Sequence, residues 1–312
     1  VLRWIAMPEL PDVENYVHAL RDRVLGQRLR RLELFSPFLL RTVDPAPADV
    51  QGLTVQGVTR MGKRIVFELS EHIFAVIHLM IAGRLRWREP GSKGPGRLAQ
   101  ACLCFDAGDL WLTEAGKKKR ASLHLVSGPK ALAAFDRGGL EVLQADLESF
   151  HAALSRENRT LKRALTDPRI LSGIGNAYSD EILFAARLSP VRLTARLDDE
   201  EIGRLFEATR GVLLDWMARL RDEVGDAFPE KVTAFHPGMQ VHGRYKEPCL
   251  VCGEPIQRIR HASNECNYCV QCQNAGRLLA DRGLSQLMRR DWPRSLEELE
   301  ERKERGRRSG GD

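Results

Sequence analysis

Four of the seven cysteines in the chain fall into one pattern, Cys249-x2-Cys252-x16-Cys269-x2-Cys272, and no other feature restricts its segment so tightly. Each CxxC turn presents two sulfurs, and the 16-residue hairpin returns the second pair to the same ion. Four thiolates saturate tetrahedral zinc and leave no position for water, so one structural Zn2+ is expected rather than a catalytic ion. A redox switch is the weaker reading, because two such turns occur at ribbon spacing. Cys266 lies close by and reads as a spare thiol. An odd cysteine count argues against a disulfide framework and fits a reducing compartment. Arg258, Arg260 and His261 sit within the hairpin, where a metal-pinned ribbon could hold cations against phosphates.

The remaining chain is long enough to bury real cores, and its 312 residues suggest about two domains. Apolar content of 43% is ordinary for a folded protein, and no apolar run approaches the ~18 residues needed to span a bilayer. Val1–Ala6 is too short for a signal peptide. Cytoplasmic, nucleoid-associated residence and a monomer with no membrane partner are therefore the expectations. The net charge of +6 is modest, with 48 basic against 42 acidic residues. Local clusters say more: Lys117-Lys118-Lys119-Arg120, Arg258 to His261, and Arg289-Arg290 point to a polyanion partner. Taken singly, each would read as a solvated face.

Residues 11–25 predict a helix, with Pro11 at its start, Val13, Val17, Leu20 and Val24 at helical spacing, and Gly26 just beyond. Seven short β-rich runs follow: 29–35, 55–60, 64–69, 74–78, 100–105, 110–112 and 122–126. Together they predict a sandwich. Residues 146–226 turn helical in period, interrupted at Asp167-Pro168 and at Ser172-Gly173-Ile174-Gly175-Asn176. The fold class expected is α+β and multi-domain, with a β-sandwich domain over 7–135, a helical domain over 146–237, a ribbon over 238–275 and a charged, partly disordered extension over 276–312. Cys102 and Cys104 alternate in a strand and read as core residues.

The pentad Pro8-Glu9-Leu10-Pro11-Asp12 follows Met7 directly. Removal of Met7 would expose a proline secondary amine beside a carboxylate, and an α-amino group titrates near ~8, so part of it is unprotonated at neutral pH. Such an amine can form a Schiff base. This reading requires initiation or processing at Met7, and Val1 in place of methionine suggests an over-extended upstream start. Otherwise Pro8 and Pro11 merely open a helix. The glycine turn before Asn176 lets backbone amides approach a phosphate at a helix N-terminus, although alone it is an ordinary structural turn.

In their order along the chain, the PELPDVE segment, the GIGNAYSDEILFAARLSP segment and the cysteine ribbon resemble the formamidopyrimidine-DNA glycosylase and endonuclease VIII family over roughly residues 7–273. The resemblance implies a β-sandwich, a helix-two-turn-helix module around Ile170 to Leu183, and a ribbon that also touches DNA. It implies a double-stranded DNA partner bearing damaged bases or abasic sites, and a bifunctional glycosylase and abasic-site lyase. By that resemblance Pro8 attacks C1′, Glu9 protonates the sugar ring oxygen, Lys63 contacts a lesion-flanking phosphate and supports strand cleavage, and Asn176 binds backbone phosphate. Without the resemblance, Lys63 is a solvated hairpin lysine and Glu9 a helix-capping carboxylate. His78, at a strand end, reads as packed rather than catalytic.

The chain also departs from the family pattern. Ile81 stands where the family has a void-filling methionine, in His78-Leu79-Met80-Ile81-Ala82-Gly83. Lys117, Lys118, Lys119 and Arg120 replace an Arg-Phe wedge, and this loop is expected to grip phosphate while opposite-base discrimination weakens. Asn264 falls where a phosphate-binding arginine is usual, with Arg258 or Arg260 placed to compensate. These changes favour abasic sites or oxidised pyrimidines over 8-oxoguanine. Two other readings remain open: a damaged-DNA binder without chemistry, and a zinc-ribbon scaffold for protein partners.

Overall fold

The computed structural model describes residues 7–116, 118–233, 235–261, 264–280, 293–299 and 301–302. Val1–Ala6, Lys117, Arg289-Arg290, residues 303–312 and the side chains of His261 and Asn264 lie outside the described residues, together with the expectations attached to them. The chain forms two compact units that interleave in sequence. Residues 1–145, 167–175 and 213–234 group into the first, and 146–166, 176–212 and 235–312 into the second.

The first unit is an antiparallel β-sandwich with one helix in its core. Helix α1 (Leu10–Val24) begins with Pro11 in its first turn, and Gly26 beyond it takes φ +77°. Strands β1 (Arg31–Leu34), β2 (Val55–Met61), β3 (Arg64–Leu69), β4 (Ile73–His78), β5 (Gly83–Arg88), β6 (Ala99–Cys104), β7 (Asp109–Glu114) and β8 (Ser122–Ser127) make two four-stranded sheets, ordered β1-β6-β7-β5 and β2-β3-β4-β8. The helix face Val13, Tyr16, Val17, Leu20 and Val24 packs with Leu85, Ala101, Leu103, Leu110 and Leu112 of one sheet, and with Val58, Ile65, Phe67, Ile77 and Leu123 of the other. Burying this apolar surface supplies the main stabilisation of the unit.

Two features of the sandwich depart from what the sequence predicts. Strand β5, Gly-Arg-Leu-Arg-Trp-Arg, was not among the seven expected runs; its period-two pattern turns Leu85 and Trp87 to the core, with three arginines alternating between them. The second concerns Cys102 and Cys104. They are buried, but on the opposite face of β6 from Ala101 and Leu103, in a small cluster with Trp111 rather than in the main core. Strands β3 and β4 bury both faces, because helix α2 (Gly128–Ala133) and Phe135 cover Val66, Phe74 and Val76.

The second unit holds α3 (Leu147–Ser155), α4 (Leu161–Thr166), α5 (Asn176–Ala185), the opening turns of α6 (Asp199–Val224), a hairpin of β9 (Gln257–His261) and β10 (Asn264–Tyr268), and the short α7 (Val270–Asn274). Its buried polar centre is Asp180 and Glu181 on α5. Glu181 accepts from the amides of Gln240 (2.7 Å), Val241 (2.9 Å) and His242 (2.9 Å). Asp180 accepts from the Asn267 amide at 3.0 Å and pairs with Lys162 and with His242 Nδ1. Burial alone would raise the Asp180 carboxyl, but Lys162 and His242 hold it below its usual range. Leu278 and Leu279, just past the ribbon, pack with Leu296 onto Ile259, Cys266, Tyr268 and Val270, so part of the C-terminal extension covers the hairpin. Cys266 is thereby a packed thiol.

Candidate active site and nucleic-acid interface

Glu9 is the N-cap of α1, and the Asp12 carboxylate accepts its backbone amide at 2.9 Å, one arm of a capping box. The Glu9 side chain does not point out to solvent. It is 2% exposed and its Oε2 accepts from the Gly175 amide at 2.6 Å, while the Leu10 amide donates to Gly173 O at 2.9 Å. Segment Asp167–Gly175 is thus laced onto the head of α1, beside buried Pro8. Gly173 needs its φ of +81°, and a β-carbon there would press on Leu10.

Lys63 reaches the same place from the β2–β3 hairpin. A β-carbon at Gly175 would overlap both Lys63 Nζ and the Glu9 carboxylate, so ammonium and carboxylate converge over a residue that must have no side chain. The hairpin is held from below by Arg60, whose Nη1 donates to Gly62 O at 2.9 Å and whose Nε donates to Glu14 at 2.7 Å. Nη1 also donates to Glu141, as does Nη2, and Glu141 in turn accepts from the Ser172 hydroxyl. Arg60, Glu14, Glu141 and Ser172 therefore lock the lysine hairpin and the glycine turn together. Sequence reasoning weighed Glu14 only as a helix-capping acid and assigned none of the four this bracing role.

Burial shifts two titratable groups near this site in opposite directions. Burial pushes Asp12 up to about 7, with the Glu9 charge adding to the rise and the Glu9 amide, Arg84 and Lys63 opposing it. His78, at the end of β4, is pushed down to about 4 by burial and by Arg64, Lys63 and His124. It is neutral at physiological pH, in keeping with a packed histidine. Ile81 is 38% exposed in a turn where the Gly83 amide donates to Leu79 O at 2.9 Å and Met80 adopts φ +52°. In the basic loop, Lys118 and Arg120 are exposed, whereas Lys119 Nζ turns back to the Glu114 carbonyl. The buried Glu114 carboxylate accepts from the Arg120 amide at 2.8 Å and shapes the loop.

In the second unit Asn176 opens α5 and its Nδ2 donates to Glu265 O at 2.8 Å, tying the glycine turn's last residue to the ribbon. Arg258 donates to Glu265 at 3.2 Å and lies 4.0 Å over the Tyr245 ring, so it is braced within the ribbon, while Arg260 on the next outward position is exposed. The sulfurs of Cys249, Cys252, Cys269 and Cys272 lie within 4.8 Å of one another, with Cys249–Cys272 at 3.9 Å and Cys252–Cys269 at 3.4 Å. Tetrahedral zinc at about 2.3 Å from each thiolate requires sulfurs about 3.8 Å apart. The cluster fits a metal ion, and Cys266 stands outside it.

The family model for the formamidopyrimidine-DNA glycosylase N-terminal domain matches residues 7–121, and the model for the H2TH domain of the same enzymes matches residues 139–222. A formamidopyrimidine-DNA glycosylase of Symbiobacterium thermophilum is 33% identical over 286 residues, covering 86% of this chain and 89% of its own. The chain belongs to the formamidopyrimidine-DNA glycosylase family. A Thermus thermophilus relative of the same name is 33% identical, covering 86% of this chain and all of its own. Among solved structures, the Fpg protein of Thermus thermophilus superposes with a TM-score of 0.72 at 31% identity, covering 85% of this chain and 98% of its own. A Lactococcus lactis Fpg in complex with abasic-site DNA superposes with a TM-score of 0.75 at 25% identity, covering 85% of this chain and 99% of its own. Family membership carries the fold read from the sequence, an α+β, multi-domain chain with an N-terminal sandwich, an H2TH domain and a cysteine-pinned ribbon. Among the described residues no helix is long and apolar enough to cross a membrane.

Proposed function

We propose that this chain is a bifunctional DNA glycosylase and abasic-site lyase acting on damaged duplex DNA, with Pro8 as its nucleophile once Met7 is removed. The observation that supports it is the convergence of Glu9, Lys63 and the Gly173–Gly175 turn beside Pro8. In this reading the Pro8 amine attacks C1′ of the evicted nucleotide. Glu9, held by the Gly175 amide, delivers a proton to the ring oxygen as the ring opens. Loss of the base leaves an iminium at C1′, which acidifies the C2′ proton, and β-elimination then expels the 3′ phosphate. Lys63 stabilises the phosphate beside the lesion.

Supporting roles are proposed for the other groups. Asn176, Lys118, Arg120 and Arg260 are the candidate phosphate contacts, with Lys117 and Lys119 flanking them, and Arg258 acts by bracing the ribbon. Ile81 is the candidate filler of the void left by the evicted base. One Zn2+ on Cys249, Cys252, Cys269 and Cys272 would serve structure alone, since four thiolates leave it no open position. Along the sequence, domain limits of 7–135, 146–237 and 238–275 are proposed, with 276–312 as an extension, although 167–175 and 213–234 group with the sandwich unit.

The test is borohydride trapping on abasic-site DNA, using protein begun at Met7 with its methionine removed and protein kept at Val1. A covalent adduct with the first alone is expected. Intact DNA binding with no adduct in either would leave a damaged-DNA binder and overturn the enzymatic reading.

A further inference from the structure

Away from the site above, on the outward face of the β1-β6-β7-β5 sheet, three metal-ligating side chains meet. Cys102 and Cys104 alternate on β6 with their sulfurs 3.6 Å apart, and Asp109 opens β7 directly across from Cys104. The two sulfurs and the Asp109 carboxylate all lie within 4.8 Å of one another. The three residues are 1%, 8% and 7% exposed, so the group is enclosed rather than splayed over the surface. One Asp109 oxygen accepts the Gly91 amide at 3.0 Å, which orients the carboxylate, and among the described residues Asp109 forms no ion pair.

A carboxylate buried with one amide and two thiols, and no cation, is poorly compensated. A divalent cation supplies what is lacking. Zinc prefers thiolate and carboxylate donors, at about 2.3 Å for sulfur and 2.0–2.2 Å for oxygen, which places two ligating sulfurs about 3.8 Å apart. The observed separation of 3.6 Å is close to that value. Glu33 on β1 pairs across from Cys102 and is the acid placed to complete the shell, in competition with its 2.7 Å bond to Arg31. We infer that Cys102, Cys104 and Asp109 form a second metal site, for a thiophilic divalent cation such as Zn2+, which staples the β6–β7 hairpin. Binding forms two sulfur–metal bonds and releases two thiol protons to the buffer, with no redox change.

Zinc counting on the full chain, stripped of metal and reloaded with Zn2+ alone before exhaustive dialysis, tests this. Two ions per chain are expected in the unaltered protein, one in C102S/C104S, and one in the near-isosteric D109N, which keeps an acceptor for the Gly91 amide. C252S, which breaks the ribbon set, should retain an ion that C102S/C104S loses. A single ion per unaltered chain overturns the proposal whatever the variants do. Two ions that persist in both C102S/C104S and D109N overturn it as well, since the second would then reside elsewhere.

Discussion

At the head of α1, two carboxylates three positions apart are given different work by their surroundings. Glu9 faces the Gly175 amide and the Lys63 ammonium, whereas Asp12 is sealed under the helix start, and burial raises it to about 7. In the unfolded chain Asp12 returns to 3.8, so between about 4 and about 7 the folded state holds a proton that the unfolded state releases. Its contribution is full below that window and is lost as pH rises through it. His78 works in the opposite sense: folded near 4 against 6.5 unfolded, it costs stability as pH falls through that range. Removing Asp12 should therefore unmask His78. Denaturant midpoints of Asp12→Asn measured from pH 4 to 8 should climb more steeply with pH than those of the unaltered protein, and identical profiles would refute the assignment. The sequence singled out Glu9 and Lys63 only through a family resemblance, and the structure brings them together at Gly175. The Arg60 network was not, because its acids Glu14 and Glu141 lie 46 and 81 residues away and only folding brings them together.

At the scale of elements, the sequence showed strands wherever apolar residues alternate between turn signals, and the helix α1 through its spacing. It missed β5, where three arginines obscured a core-facing Leu85 and Trp87, and it could not tell which face of β6 the cysteines would take, because alternation does not say which side is the core. The glycine turn is a sharper case. As a sequence it is an ordinary loop, yet the structure assigns its glycines different tasks: Gly173 supplies a positive φ, and Gly175 leaves room for Lys63 and Glu9. Gly175→Ala should therefore disturb geometry more than stability. A displacement near 1 Å at a reacting group can cost about 100-fold in rate, while overpacking costs about 1–3 kcal/mol. Gly203→Ala, inside α6 with nothing near its added methyl, should instead raise stability by about 0.5–1 kcal/mol and leave nicking of abasic DNA unchanged. Equal nicking rates in the two variants would remove the steric argument for Gly175.

Across the whole molecule the net charge of +6 is small for a protein proposed to grip a duplex, so binding must rest on where the cations are placed. Several of them are already committed: Arg60 to Glu14 and Glu141, Lys162 to Asp180, Arg258 to Glu265 and Tyr245, and Lys119 to the Glu114 carbonyl. A guanidinium or ammonium engaged in this way gives up an internal partner before it can meet a phosphate. Lys118 and Arg120 are exposed on the loop between β7 and β8. Each phosphate neutralised by such a group releases condensed counterions and adds about −0.9 to the slope of log K against log salt. Substituting Lys118 and Arg120 together by serine should accordingly flatten that slope by up to about 2, with weaker binding to damaged and undamaged duplexes alike. Substituting Lys119 alone should change the slope little and act chiefly through the shape of the loop. Were the double variant to keep the full salt slope, the loop would not be a phosphate grip, and the polyanion partner would have to be held by the ribbon and the glycine turn.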